Sequence, residues 1–308
     1  MRNNYEKSYN TMKGEVIDSL NRILPNNILV EEIKNVKNGQ VLEGIALRRN
    51  DENIAPCFYF NHFIEDYMNG IPCNLIAERI LEIYKEAIKE KEKINIKGIE
   101  NFETQKENIL FKIVNTERNK ELLSKSPHFP FLDLSIIFSL KVDIPDSNEF
   151  GTINITDKIM NLWKIDKEEL LKLALKNTPK LLPIKIGYVE DFLFAHEDNE
   201  IGFDEMLDYI SETEECGLIY LRNKLQINGF STILYPDVLT KLHDKIGSFY
   251  IIPSSIHESL LLPYSNEIDV DNVKSMIQEV NANLVDDVEF LSDNLYFYNK
   301  EIKNISIC

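Results

Sequence analysis

The sequence lacks the short motifs that mark the best-known nucleotide and metal sites. It contains neither G-x-G-x-x-G nor G-x-x-x-x-G-K-[ST], so neither a dinucleotide fold nor a P-loop is indicated. H-E-x-x-H is absent, because Leu261 stands where the second histidine would follow His257. Asp269 begins a stretch like a calcium loop, but Lys274 replaces the glycine of its sixth position, so a helix N-cap is the simpler interpretation. We therefore predict no cofactor and no metal.

Cysteine is scarce and shows no paired spacing. No C-x-x-C pair occurs, which argues against zinc-knuckle and thioredoxin-type sites; the four cysteines are Cys57, Cys73, Cys216 and Cys308. The first residues hold no apolar signal segment, and no run approaches the roughly 20 apolar residues that cross a bilayer. Hydrophobic residues make up 44% of the chain, enough for a buried core. These features predict a cytoplasmic protein with free thiols and no membrane partner.

Basic residues are missing from residues 187–221, although this stretch holds eleven acids. A second stretch, residues 265–294, holds eight acids against one base, Lys274. The two stretches carry −11 and −7 against −17 for the whole chain, so the other residues are close to neutral. Localised charge creates a directed electrostatic field, which influences the partners that a protein binds rather than its fold.

The localised acids predict a basic protein partner. We expect the first stretch to supply the binding face: Glu190, Asp191, Glu197, Asp198, Glu200, Asp204, Glu205, Asp208, Glu212, Glu214 and Glu215. Phosphate contacts need clustered cations, and Lys and Arg are scattered here, so we expect no direct nucleic-acid binding. A role in solubility alone stays an alternative, because runs of charge often form solvated faces that only keep a protein soluble.

The order of helices and strands predicts an α+β fold with mixed or antiparallel sheets and packed helices, compatible with two α+β halves. Strands and helices follow one another without the regular alternation of a doubly wound sheet. We divide the chain into a helix-hairpin-helix region (1–92), a central α+β region (109–182), an acidic connecting segment (183–215) and a C-terminal α+β region (216–308).

The N-terminal region has the clearest local patterns. Apolar residues at three- and four-residue steps predict a first helix that ends before Pro25. Asn38-Gly39 predicts a type I′ turn between two strands, at residues 28–36 and 41–47. Asn74 predicts the N-cap of a long helix, with Ile83 on its buried side.

Breaking and capping signals recur in the rest of the chain. Asp166 predicts the cap of a helix that stops before Pro179, because proline disfavours helix at the preceding residue. Pro253 predicts the end of a strand. Ser255 followed by Glu258 has the S-x-x-E spacing of a capping box and predicts a helix start.

Three polar residues are candidates for a catalytic site: His257, Glu258 and Asp133. A serine, a histidine and a glutamate lie within residues 254–258, but hydrolytic triads converge from distant segments, so the capping box is the simpler interpretation. Asp133 precedes an apolar strand, and an inward carboxylate there needs a partner such as Arg118 or His128. A metal site assembled in space from residues 196–198 and the acids near residue 286 stays an alternative.

Six phrases together resemble an uncharacterised family. They are LPNNILVEEIKNVKNGQVLEGIAL (24–47), IAPCFYFNHFIEDYMNG (54–70), IVNTERNKELL (113–123), PHFPFLDLSIIF (127–138), IPSSIHESLLLP (252–263) and EVNANLVDDVEFLSDNLYFYN (279–299). In this order the chain resembles, over nearly its full length, a domain-of-unknown-function family from Firmicutes that is common in gut anaerobes and often near mobile elements. The resemblance implies a bacterial cytoplasmic protein and assigns no role to any residue.

Two hypotheses of function compete at this point. The first is a non-enzymatic interaction or regulatory protein that presents an acidic face to a basic protein partner, such as a host nucleic-acid enzyme in a mobile-element or anti-defence setting. The second is a hydrolase or metal-dependent hydrolase with a cleft near His257 and Asp133. The missing catalytic motifs and the localised charge favour the first.

Overall fold

The fold is α+β, as the sequence predicts. The computed structural model describes residues 2–49, 55–91, 98–143, 150–190, 202–212, 217–299 and 304–308. The chain forms two compact units. Unit 1 contains residues 1–95 and 143–150, and unit 2 contains residues 96–142 and 151–308. The four segments drawn from the sequence stay a prediction.

Unit 1 packs helices on one three-stranded antiparallel sheet. Its elements are α1 (Arg2–Ile23), β1 (Ile28–Lys37), β2 (Gln40–Arg49), β3 (Cys57–Tyr59), α2 (Ile64–Met68) and α3 (Cys73–Lys91). The predicted hairpin is confirmed, and Asn38 and Gly39 take φ angles of 50° and 77° at its turn. The strands lie in the order β1-β2-β3, so β3 is an edge strand. Pro56, which directly precedes β3, has no N–H to donate, and proline is tolerated at such an edge.

The core of unit 1 is formed by the predicted helix stripe. Met12, Val16 and Leu20 of α1 are fully buried against side chains of α3 and of the sheet, such as Ile80 and Ile45. Helix α3 begins at Cys73, one residue before the predicted cap. Its Ile83 is exposed, so the prediction of a buried side chain there is wrong, because Tyr84 takes the inward position instead.

Unit 2 contains two antiparallel sheets around one large core. In the first sheet β6 lies between β4 and β5, and β7 also pairs with β6. The second sheet has the order β13-β12-β10-β11-β9-β8. The strands are β4 (Ile109–Asn115), β5 (His128–Phe131), β6 (Leu134–Asp143), β7 (Phe150–Asn154), β8 (Ile184–Tyr188), β9 (Ile219–Asn223), β10 (Phe249–Ser255), β11 (Glu258–Pro263), β12 (Tyr296–Asn299) and β13 (Asn304–Ile307).

The helices of unit 2 include one that continues past its predicted end. They are α4 (Phe102–Gln105), α5 (Lys120–Leu123), α6 (Asp157–Trp163), α7 (Lys167–Leu181), α8 (Phe203–Glu212), α9 (Val238–Ile246) and α10 (Val270–Asn283). The predicted cap of α7 is confirmed, since the Asp166 carboxylate accepts from the N–H of Glu169 at 2.8 Å. The predicted stop before Pro179 is wrong: this residue lies in the last turn, where the proline removes only one helical hydrogen bond.

Strand β10 also continues through a predicted break. Pro253 lies inside the strand, at a shift of register with β11 between Ile252 and Ser255. A bulge of this kind needs no ladder hydrogen bond from the proline, so the strand goes on. The predicted capping box is wrong, because Glu258 starts strand β11 and the Ser255 hydroxyl accepts from the N–H of His257 at 3.0 Å.

Candidate functional site

The most acidic part of the described structure surrounds α10. We call the eight acids of residues 265–294 the C-terminal acidic surface. Seven of them are exposed and Glu289 is half-buried; the others are Glu267, Asp269, Asp271, Glu279, Asp286, Asp287 and Asp293. Asp287 forms an ion pair with Arg118 at 3.0 Å, and Glu289 lies 3.6 Å from the Nε2 atom of His257. The other six form no ion pair with any residue that the structure describes. The negative charge of this surface is therefore largely uncompensated.

Helix α10 has one apolar arc, of which part is buried and part is exposed. Ile277 is buried and packs with Tyr250 and Leu295 against the outer side of the larger sheet. Met276, Val280 and Leu284 keep 57%, 43% and 80% of their surface exposed. Met276 and Val280 lie about one helical turn apart, and Leu284 follows as the C-cap residue, with its N–H bonded to the carbonyl of Val280, so these three side chains form one stripe. We call them the α10 stripe.

The N-terminal end of α10 is fixed by its cap. The Asp269 carboxylate accepts from the N–H groups of Asp271 and Asn272 at 3.1 Å each, which confirms the predicted N-cap. Near the other end, the Asn281 side chain donates to the carbonyl of Ser292 at 3.0 Å and to Asp293 at 2.8 Å. The helix and the segment after it are thus joined by direct bonds.

Residues 286–295 follow α10 and are tied to distant parts of unit 2. The Arg118 guanidinium donates to the carbonyl of Asp287 at 3.1 Å and lies 3.7 Å above the ring of Phe290. The Asn115 side chain donates to the carbonyl of Leu291 at 2.9 Å, and the N–H of Ile256 donates to that of Glu289. The C-terminal acidic surface therefore has a preorganised backbone.

Helix α8 holds four of the eleven acids predicted as a binding face. The Lys241 ammonium lies 2.6 Å from Asp204, and that of Lys245 lies 2.5 Å from Asp208. Asp208 holds the pKa of Lys245 above its usual value through this hydrogen bond. Two of the four charges are thus compensated by α9, a pairing for which the sequence offers no local signal.

The remaining acids of that predicted face divide into two groups. Glu205 and Glu212 of α8 are exposed, as is Glu190 after β8. The other six lie outside the described residues: Asp191, Glu197, Asp198, Glu200, Glu214 and Glu215. The alternative metal site at residues 196–198 lies outside them as well. Their role stays a prediction.

Asp133 is held by hydroxyl groups rather than by a cation. Its carboxylate accepts from the hydroxyl of Ser292 at 2.7 Å and from that of Tyr296 at 2.7 Å. Burial raises the pKa of Tyr296 far above its usual value, so the phenol stays protonated and donates. The predicted partners are wrong: Arg118 binds Asp287, and the ring of His128 bonds to the carbonyl of Ser126 at 2.9 Å.

His257 and Glu258 lie at the turn between β10 and β11. The Nδ1 atom of His257 lies 2.8 Å from the carbonyl of Gln226, and its Nε2 atom faces Glu289. Glu258 accepts from the hydroxyl of Ser254 at 3.3 Å. Among the described residues no serine, threonine or cysteine side chain bonds to the imidazole of His257. The three candidates thus bond to separate partners.

Unit 1 contains a polar cavity of about 720 Å³ between α1 and the turn before α3. Its lining mixes charges of both signs, among them Glu15, Asp18 and Arg22, with the aromatic ring of Tyr67. The Cys73 thiol also lines it, and burial together with a hydrogen bond to Glu15 raises the pKa of that thiol to about 12. A protonated thiol is a poor nucleophile, so the cavity offers no activated cysteine.

We expect Cys73 to resist alkylation in the folded protein. At pH 8 a thiol with this pKa holds about a thousandfold less thiolate than an ordinary cysteine. Iodoacetamide labelling followed by peptide mass spectrometry should modify Cys57 and Cys308, which are exposed, well before Cys73. Labelling in urea should remove the difference, and equal rates in the native protein would contradict the assignment.

The comparison with known families is decisive for membership. The model of a family of unknown function, DUF5688, matches residues 9–300. The chain belongs to this family. The predicted membership in an uncharacterised family is confirmed. Neither the curated proteins nor the solved structures give a significant match.

The region matched by DUF5688 includes both acidic stretches and all three catalytic candidates. Within the described ranges, no three His, Cys, Asp or Glu side chains group in a way that could hold a metal ion. None of the helices in the part of the chain that the structure describes is both long and apolar enough to cross a membrane.

Proposed function

We propose that this member of DUF5688 is a non-enzymatic interaction protein whose C-terminal acidic surface binds a basic protein partner. The observation that carries the proposal is the uncompensated charge, because six of the eight acids there have no ion-pair partner among the described residues. Uncompensated surface charge raises the rate of encounter with an oppositely charged partner and excludes partners of like charge.

The preorganised backbone supports the same proposal. A surface that is already ordered loses little conformational entropy when a partner binds, which favours affinity. The bonds from Asn115 and Arg118 to residues 287 and 291 supply this order. The acids of α8 are not part of this surface, and Asp204 and Asp208 among them already face lysines.

The proposed setting is the bacterial cytoplasm. The resemblance to a Firmicutes family often found near mobile elements supports this setting and a partner with a cationic groove, such as a host nucleic-acid enzyme. The hydrolase alternative lacks comparable support, because His257, Glu258 and Asp133 each bond to a different group.

The test neutralises three acids whose side chains accept no hydrogen bond from a described residue: Glu267→Gln, Asp271→Asn and Glu279→Gln. The matched control removes the same charge from α3 of unit 1, with Glu78→Gln, Glu82→Gln and Glu86→Gln. Tagged proteins are used to capture partners from nuclease-treated bacterial lysate at about 0.15 M and about 0.5 M salt.

We expect the wild type and the control to capture the same basic protein at low salt. The surface variant should lose it, with association at least about tenfold slower once the partner is purified, and raised salt should act similarly. Capture that is equal in all three proteins, or that salt does not affect, would reduce the acids to a role in solubility.

A further inference from the structure

The α10 stripe is exposed although the helix already has a buried face. Val273 and Ile277 pack toward the larger sheet, so the contacts of α10 with its own unit do not require Met276, Val280 or Leu284. From the first to the last of these three the stripe spans about 12 Å along the helix axis. An ordered apolar stripe of this kind, on a polar surface, is typical of a binding site.

Acids border the α10 stripe. Glu279 lies about one helical turn from Met276, and Asp286 follows Leu284 by two residues, whereas Asp287 is already paired with Arg118. All three acids are exposed. Protein interfaces commonly place apolar anchors at the centre and charged groups at the rim, and methionine adapts well to the shape of a partner. The stripe and its acidic border therefore have the arrangement of one interface.

We propose that the α10 stripe is the docking site of a basic amphipathic helix of the partner protein. This inference rests on the proposed function, because it assigns the partner's chemistry at the same acidic surface. The apolar side of the helix would cover Met276, Val280 and Leu284, while its lysines and arginines would face the acids at the border. A ridge of residues spaced by four packs naturally against a second helix.

Charge complementarity selects this occupant over others. A second copy of the chain would bring eight acids and one lysine against the same set, and like charges across an interface are repulsive. A nucleic acid or an anionic lipid surface would be repelled for the same reason. A cationic protein segment satisfies both the apolar stripe and its acidic border.

The probe is a synthetic peptide of leucine and lysine, about 18 residues long, with the leucines on one side of a five-turn helix. A scrambled peptide of equal composition and charge has no apolar side. Binding of both peptides to the full chain is measured by fluorescence anisotropy of a peptide label. The stripe variant is Met276→Gln with Leu284→Gln, and its control, Met68→Gln with Leu162→Gln, changes side chains that are 56% and 54% exposed elsewhere.

The wild type and the control should bind the amphipathic peptide about tenfold more tightly than the scrambled one. The stripe variant should lose that preference and keep its weak binding of the scrambled peptide, with an unchanged circular dichroism spectrum. Equal affinity for both peptides in the wild type, or an unchanged preference in the stripe variant, would overturn the docking site.

The acid variant separates this inference from the proposed function. If Glu267→Gln, Asp271→Asn and Glu279→Gln weaken both peptides while the stripe variant does not, the stripe fails and the acidic surface stands. If dissociation constants for both peptides exceed about 100 μM in the wild type and the lysate capture does not respond to the acids, both proposals fail.

Discussion

Gly229→Ala is expected to destabilise unit 2 by about 3 kcal/mol, close to the upper end for overpacking of a folded interior. A Cβ atom at this position would lie 2.1 Å from the carbonyl oxygen of His257 and 3.1 Å from the backbone nitrogen of Asn223. Both are backbone atoms, so no flexible side chain can move aside. The β10–β11 turn would have to shift, although the N–H of Phe230 is bonded to Ile256 in that turn.

Urea denaturation and thermal unfolding measure this effect. A loss of this size lowers the melting temperature of a unit of about 200 residues by about 10 °C. Gly151→Ala is the matched control, because a Cβ atom there meets no other atom within 4 Å, and its stability should change by less than about 0.5 kcal/mol. Equal effects of the two substitutions would refute the close approach at Gly229.

Asp133→Ala is expected to cost about 3 kcal/mol of the unfolding free energy, because it leaves two buried hydroxyl groups without their acceptor. Ser292 and Tyr296, which donate to this carboxylate, are almost completely buried. Asp133→Asn should cost only about 1 kcal/mol, since its amide still accepts one hydrogen bond and can donate another. The order of stability is read from chemical denaturation at neutral pH.

A double-mutant cycle isolates the bond between Asp133 and Tyr296. Tyr296→Phe removes the phenol, and the combination with Asp133→Ala should be more stable than the two separate losses predict, by about 1–2 kcal/mol. Additive losses would show that the hydrogen bond adds nothing to stability. Unchanged stability in Asp133→Ala would return Asp133 to the list of candidates for a reactive carboxylate.

Local signals explain which parts of the fold the sequence could predict. A turn or a helix cap needs only neighbouring backbone groups, so its residues determine the backbone conformation within a few positions. This holds for Asn38-Gly39, Asp166 and Asp269. The amphipathic stripe of α1 is likewise local, since its period alone identifies the buried side.

Prediction failed where the partner of a residue is far away in the sequence. The two hydroxyl groups that donate to Asp133 lie 159 and 163 residues further along, so neither could be chosen by spacing. The predicted end of the strand at Pro253 was wrong. The register shift with β11 that accommodates this proline depends on the whole sheet, so it has no local signal in the sequence. The ion pairs of α8 with α9 also depend on packing rather than on local pattern.

The apolar residues of α10 show the limit of a local pattern. The sequence spacing puts Val273, Met276, Ile277 and Val280 within one arc of the helix. The structure buries Ile277 and leaves Met276 and Val280 exposed, because the sheet covers only part of the apolar arc. Amphipathic period alone does not give the width of the surface that covers a helix.

The ties of residues 286–296 to earlier residues also set an order of events during synthesis. Asn115 and Arg118 bond to this segment across 176 and 169 residues, and Tyr296 reaches Asp133 across 163. A ribosome releases the chain from its N-terminus, and contacts of such separation form only after both ends have emerged. More than half of the chain must therefore be synthesised between the first anchoring residues and the segment that they hold. Translation that halts before Tyr296 would release a protein in which the acidic surface cannot form completely.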